Sequence, residues 1–278
     1  MILRNMDAAD IPVGLRLCRH AQWNQVARDW EMFLKMSPNG CRVAQLDTVV
    51  GTVATVRYQD HFSWIAMVLV DPEFQRMGIG MQLLLESLDI LKNEETIKLD
   101  ASLPGRQLYL KLNFVDEYSL SRMIRPIVHH SSGSSRAGVL HKTDFDELIK
   151  MDARVFGADR QDLLEWLFEG ASHLAFVIKE SGEVRGYCFG RIGEHYVHIG
   201  PVVASRAELA SEMVLAALNN CIGQSVLIDI PHFDPDWMSW LESIGFEEQR
   251  PFYRMYLGTN RFAGIPEYQF AILGPEFG

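Results

Sequence analysis

Residues 64–91 constrain the fold more than any other stretch. They read Trp-Ile-Ala-Met-Val-Leu-Val, then Asp-Pro-Glu-Phe-Gln-Arg-Met-Gly-Ile-Gly, then Met-Gln-Leu-Leu-Leu-Glu-Ser-Leu-Asp-Ile-Leu. The continuous apolar run 64–70 suits a strand buried on both faces. Pro72 cannot donate to a sheet ladder, so the strand ends there. Leu84, Leu85, Leu88 and Leu91 then fall at helical spacing. The two glycines of the intervening loop, Gly78 and Gly80, let backbone N–H groups face outward unobstructed. Those amides, the positive end of the helix dipole and Arg76 together favour an anion, such as a phosphate.

Two familiar phosphate loops do not fit. No Gly-Lys-Ser/Thr follows the strand, as a P-loop requires. A dinucleotide fingerprint needs a small third residue at position 83, where Leu83 stands. The remaining pattern, Gln75-x-x-Gly78-x-Gly80, resembles the pyrophosphate loop of the GNAT superfamily of acyl-CoA N-acyltransferases. A second motif lies at the right distance. Leu108-Tyr109-Leu110-Lys111-Leu112-Asn113-Phe114 is similar to the family's Leu-Tyr-x-Lys-x-Gly-Phe. Asn113 replaces the family glycine, and Asn is the next best residue for a left-handed helix cap. The resemblance covers residues 1–126.

The resemblance implies transfer of an acetyl group from acetyl-CoA to a small-molecule or peptide amine, with no metal. Pantetheine would bond to backbone groups near Val68, Leu69 and Val70. The pyrophosphate would sit on the loop and helix start, formed by Gln75, Arg76, Met77, Gly78, Ile79, Gly80 and Met81. Tyr109 is the candidate general acid for the departing thiolate; packing of helix on sheet is the plain alternative. Trp23, Asn24, Trp30 and Trp64 fall on the elements that form the acceptor wall in this family. Aromatic rings there could hold an amine by cation–π contact, or could be ordinary core. No base is singled out: Asp60, His61 and Glu73 flank the central strand, and relay through water is open as well. A non-catalytic acyl-CoA-binding or sensing protein is the alternative reading.

The 278 residues suggest two domains, and an apolar fraction of 48% with 22% charged residues is that of ordinary globular protein. The net charge of −10 argues against a nucleic-acid partner. The acidity is uneven. Residues 1–130 hold 14 basic and 15 acidic residues, whereas residues 131–278 hold 12 and 21. This second surface could attract a cationic substrate or simply keep the protein in solution. Cys18, Cys41, Cys188 and Cys221 have neither zinc-ligand nor disulfide spacing, which fits free thiols in a cytoplasmic protein. No signal peptide and no membrane-spanning run is expected. Nothing in the sequence indicates an oligomeric state.

Along residues 1–126 the expected order is β-α-α-β-β-β-α-β-α-β, the order of the GNAT fold. Ser131-Ser132-Gly133-Ser134-Ser135 is linker chemistry. The expected layout is therefore a catalytic domain over 1–128, a linker over 129–137 and a degenerate copy over 138–278. The fold class is α/β (α+β): two tandem domains, each a mixed, mostly antiparallel sheet flanked by helices. The halves align from Gly51 and Gly186 onward. The second copy has Ala-Ser-Arg-Ala-Glu-Leu in place of the glycine loop, and Leu241 where the first has Tyr109. An acyl-CoA site is expected only in the first. The strand-like run 268–273 either completes the second domain or crosses to cover the open edge of the first.

Overall fold

The structure is a computed structural model that describes residues 1–130 and 133–278; Ser131 and Ser132 of the expected linker lie outside the described residues. The first half runs β1 (Ile2–Asn5), α1 (Ile11–His20), α2 (Ala27–Met36), β2 (Arg42–Gln45), β3 (Val49–Tyr58), β4 (Phe62–Val70), α3 (Ile79–Ile90), β5 (Thr96–Ser102), α4 (Leu103–Leu110) and β6 (Val115–Arg125). The second runs β7 (Gly138–Val139), α5 (Phe145–Phe156), α6 (Gln161–Ala171), β8 (Phe176–Glu180), β9 (Glu183–Ile192), β10 (Val197–Ala204), α7 (Ala207–Asn219), β11 (Val226–Pro231), α8 (Pro235–Ser243), β12 (Glu247–Gly258) and β13 (Gln269–Ala271).

The duplication is visible in packing. Gly51 on β3 pairs with Val70 and lies under Leu83 of α3; Gly186 on β9 pairs with Ala204 and lies under Met213 of α7. At both places a side chain would meet the helix that covers the sheet.

The halves do not form separate sheets. One sheet runs in the order β1-β2-β3-β4-β5-β12-β6-β11-β10-β9-β8-β7. β12, from the second half, pairs antiparallel with β5 from Phe252↔Ser102 to Gly258↔Thr96. β6, from the first half, pairs antiparallel with β11 from Val226↔Arg125 to Pro231↔Leu120. β6 and β12 pair with each other at the centre. The halves have thus exchanged their last long strands. The two tandem, largely antiparallel and helix-flanked domains are as expected, but their strands join into one continuous sheet, and the strand that covers the edge of β5 is β12. The run around 268–273 instead supplies β13, which pairs with β10 in the second half.

The core is shared as well. One buried cluster joins Trp30, Phe33, Tyr58 and Trp64 of the first half to Phe156, Leu163, Leu167 and Tyr187 of the second. Residues 275–278 enter it from β13: Phe277 stacks on Phe33 at 4.4 Å between centroids, and its carbonyl accepts from Tyr58 Oη at 2.7 Å. All four cysteines are buried free thiols. No helix among the described residues is long and apolar enough to cross a membrane. None of these residues form a cluster of three or more His, Cys, Asp or Glu able to hold a metal.

Candidate active site

β4 and β5 pair in parallel only at Ser63↔Ile97 and Trp64↔Lys98. Beyond Trp64 they part. Met67 takes a left-handed φ of 55°, and the register with β3 shifts between Thr52 and Ala54. Such a backbone is uncommon for a residue with a side chain and marks a bulge that turns the strand. Alternate backbone groups of residues 65–70 therefore face the gap with no partner strand. The gap opens into a cleft of about 530 Å³. Val68, Val70, Gln75, Arg76 and Tyr109 line it from the first half, and Arg250, Phe252, Pro275 and Glu276 from the second.

The glycine loop closes one end. Asp71 caps the turn by accepting from Glu73 N, and is held by Arg16 at 2.7 Å. Gln75 donates to Val70 O at 3.3 Å. Arg76 and Gly78 both have left-handed φ, 64° and 80°. Alternation of this kind turns successive N–H groups to one side, forming a concave anion site. The first intrahelical bond of α3 is Gln82 N to Gly78 O, so the amides of Ile79, Gly80 and Met81 remain for another acceptor. A Cβ on Gly78 would meet no protein atom within 4 Å. The space beyond the loop is open, and Arg76 makes no ion pair among the described residues, so the residues present fit a pyrophosphate.

Tyr109 reaches the cleft from α4, whose start is capped by Ser102 Oγ accepting from Gly105 N. Its ring meets Phe114 edge-on at 5.8 Å. A Cβ on Gly105 would lie 3.2 Å from the ring, so the glycine leaves the phenol its position. Asn113 takes the left-handed cap conformation, φ 65°. Burial pushes the Tyr109 pKa up to about 12. Among the described residues its hydroxyl has no hydrogen-bond partner.

Of the four acceptor-wall candidates only Trp23 lines the cleft. Asn24 is buried and acts as a clamp: its side chain accepts from His195 N and Tyr196 N and donates to Tyr196 O. Trp30 is fully buried. Trp64 donates to Pro275 O at 3.0 Å under the Arg254 guanidinium. Asn24 and Trp64 thus bond to the second half, and Trp30 packs against Gly14 and Phe33 of the first, away from the cleft lining. The base candidates also lie outside the cleft lining. His61 bonds Gly157 O and stacks on Phe262, while Asp60 and Glu73 are exposed.

Charged residues that the sequence reading passed over do line the cleft. Asp100 is held at both oxygens by Arg254, at 2.9 and 2.8 Å, and Arg254 also donates to Tyr118 Oη. Arg122 makes a two-bond pair with Asp229, both at 2.8 Å. Glu276 pairs with Arg191, which also holds Asp29. A single charged residue inside an apolar strand, as in Leu-Ile-Asp-Ile at 227–230, was the available signal.

The second half has the same geometry with the gap filled. β10 and β11 pair in parallel at 197–199, then the register of β10 shifts between Ile199 and Val202. β13 enters there: Ala271 pairs with Val202, and Ile272 N bonds Asp229 O of β11. Gly200 allows the approach, because a Cβ on it would lie 2.1 Å from Ile272 O. The chain's own strand therefore takes the position that is open between β4 and β5.

Comparison with known proteins agrees with this architecture. The Acetyltransferase (GNAT) family matches residues 14–114, and an Acetyltransferase (GNAT) domain matches residues 148–271. The holothin acyltransferase of Pseudoalteromonas sp. (strain SANK 73390) is 28% identical over 243 residues, which cover 85% of this chain and 81% of that one. A provisionally named acetyltransferase from Pyrococcus horikoshii shares the fold with a TM-score of 0.82 at 24% identity, over 100% of this chain and 95% of that one. A tandem GNAT protein from the clavulanic acid biosynthesis pathway shares it with a TM-score of 0.62 at 14% identity, over 92% and 98%. The chain belongs to the GNAT superfamily, as a tandem protein whose second domain lacks the glycine loop.

Proposed function

We propose that the protein is an N-acetyltransferase that moves an acetyl group from acetyl-CoA to an amine by direct attack in a ternary complex, in the first of its two domains. The observation that carries this reading is the parted β4–β5 edge, which leads from the glycine loop to the unpartnered hydroxyl of Tyr109. The pyrophosphate rests on the amides of residues 76–81, and pantetheine bonds to the free backbone edge of Val68, Leu69 and Val70. The amine nitrogen attacks the thioester carbonyl carbon, the C–S bond breaks, and an amide forms. The departing thiolate takes a proton or a hydrogen bond from Tyr109, whose raised pKa keeps it protonated at neutral pH. The amine's own proton leaves to solvent through the cleft. In this reading a backbone N–H on the β4 edge stabilises the oxyanion formed during attack.

The test is release of free CoA thiol from acetyl-CoA across a panel of amines, with the acetylated product identified by mass. Acetyl-CoA binding without amine-dependent CoA release would replace the reading with that of a binding or sensing protein.

A further inference from the structure

The floor of the cleft is strand β12. Arg250, Phe252 and Arg254 stand at alternate positions of that strand and so share a face. Arg254 is satisfied by Asp100 and Tyr118. Arg250 is not. The cross-strand register places Asp229 of β11, Arg122 of β6 and Arg250 of β12 in one row across the sheet. Like charges directly opposite each other on neighbouring strands are destabilising. Asp229 answers Arg122 with both oxygens and is fully buried beneath it. The row therefore carries two guanidiniums and one carboxylate. Among the described residues Arg250 has neither an ion pair nor a hydrogen bond, although it is half-buried on the cleft wall.

The other acids lining the cleft are engaged elsewhere. Both oxygens of Asp100 are taken by Arg254, and Glu276 pairs with Arg191. Burial, and after it the charge of Arg122, push the Arg250 pKa below its usual value, against the weaker pull of Asp229. Glu276 shares the Arg191 guanidinium with Asp29, whose pKa burial pushes above its usual value. A half-desolvated charge without a partner is costly, so an anion entering the cleft at Arg250 would be bound there. The phosphates of the co-substrate have their own place at the glycine loop, beside Arg76.

We propose that the acceptor is an amine that also carries a carboxylate, and that Arg250 holds this carboxylate in a forked, charge-assisted pair with Arg122 behind it. The proposal rests on the transferase reading and deepens it, from any amine to one of amino-acid type. Arg250 acts here as a specificity residue and takes no part in bond making.

The test uses the full chain and its Arg250→Gln and Arg250→Lys variants. N-acetyl-α-amino acids and their uncharged amides are titrated calorimetrically in the presence of saturating CoA, and the matching amino acids and amino-acid amides are compared as acceptors by CoA release. The wild type is expected to bind the carboxylates about 10- to 100-fold more tightly than the amides, the range of a lost charge-assisted bond. Arg250→Gln should bring this ratio to about one through KM with kcat little changed, and Arg250→Lys should restore part of it. Acetyl-CoA affinity should be unchanged in both variants, which also reports that they fold. Equal binding of acids and amides, no binding of either, a preference that survives Arg250→Gln, or a loss of acetyl-CoA affinity in that variant each overturns the proposal. Arg250-dependent binding of N-acetylated acids without CoA release would retain the anion site and overturn the transferase reading alone.

Discussion

Tyr109→Phe removes one oxygen and leaves the ring in place against Phe114, so it isolates the hydroxyl. Turnover is expected to fall roughly 10²–10⁴-fold, the range for a lost general acid, with acetyl-CoA affinity near that of wild type. Unchanged turnover, with the chemical step shown to be rate-limiting, would assign Tyr109 to packing. The sign of its pH dependence follows from burial: with the pKa pushed up to about 12, the phenol holds its proton through the neutral range. The rate should therefore show no Tyr109-dependent decline well below pH 12. The place of Tyr109 on the cleft wall was legible because its motif spacing is local. The tryptophans were not, and Trp64 explains why. Counting by two from Trp64 places Ala66, Val68 and Val70 on its face, but the backbone reversal at Met67 intervenes. Trp64 packs with the shared core, whereas Val68 and Val70 pack on the opposite face. Asp100 and Arg254 were hidden for a different reason. Each reads as one charged residue in a strand, and the partner that buries it lies 154 positions away.

At the scale of elements, the strand, glycine loop and helix of residues 62–90 could be read directly, because each is set by neighbours in sequence. Gly78→Val is expected to abolish measurable acetyl-CoA binding by calorimetry, since the side chain would project into the open space over the loop amides and φ 80° is unfavourable for valine. Retained binding would move the pyrophosphate elsewhere. The filled gap of the second half was not legible, because β13 has only three residues and its pairing with β10 depends on Gly200, 71 positions before Ala271. Gly200→Ala would place a methyl group 2.1 Å from Ile272 O. Overpacking of this kind typically costs about 1–3 kcal/mol. It should appear as a lowered denaturation midpoint, and an unchanged midpoint would mean that β13 is not seated between β10 and β11. The strand exchange was likewise out of reach. β6 and β12 both read as ordinary strands, and nothing in an alternating pattern names the neighbour.

For the molecule as a whole, the exchange makes stability and activity joint properties of both halves. One consequence is acid sensitivity. Buried His198 accepts from Arg191 on one nitrogen and faces Asp229 with the other, at 3.3 Å. Burial pushes its pKa down to about 4 from 6.5, against the pull of Asp229. The folded state therefore favours the neutral ring, while the unfolded chain takes up a proton below pH 6.5. The contribution is present in full above about pH 6.5, falls as the pH drops, and is lost below about 4. It amounts to on the order of 3 kcal/mol. Wild type should lose more stability across that window than His198→Gln in denaturant titrations, and parallel slopes would refute the assignment. The stronger consequence concerns residues 1–130 in isolation. Both partners of β6, β11 and β12, lie in the second half, so the fragment would leave β6 unpaired on both edges. It would also bare the edge of β5 and remove Phe252, Pro275 and Glu276 from the cleft. Unpaired edges favour association, and the shared core would be cut through Trp30, Phe33 and Tyr58. The fragment is therefore expected to be insoluble or, if kept in solution, inactive in CoA release, although it contains the glycine loop and Tyr109. Adding residues 138–278 as a separate chain should restore activity to the extent that β6 and β12 can pair. A soluble monomeric fragment with wild-type turnover and acceptor preference would show that the second domain is dispensable to the site.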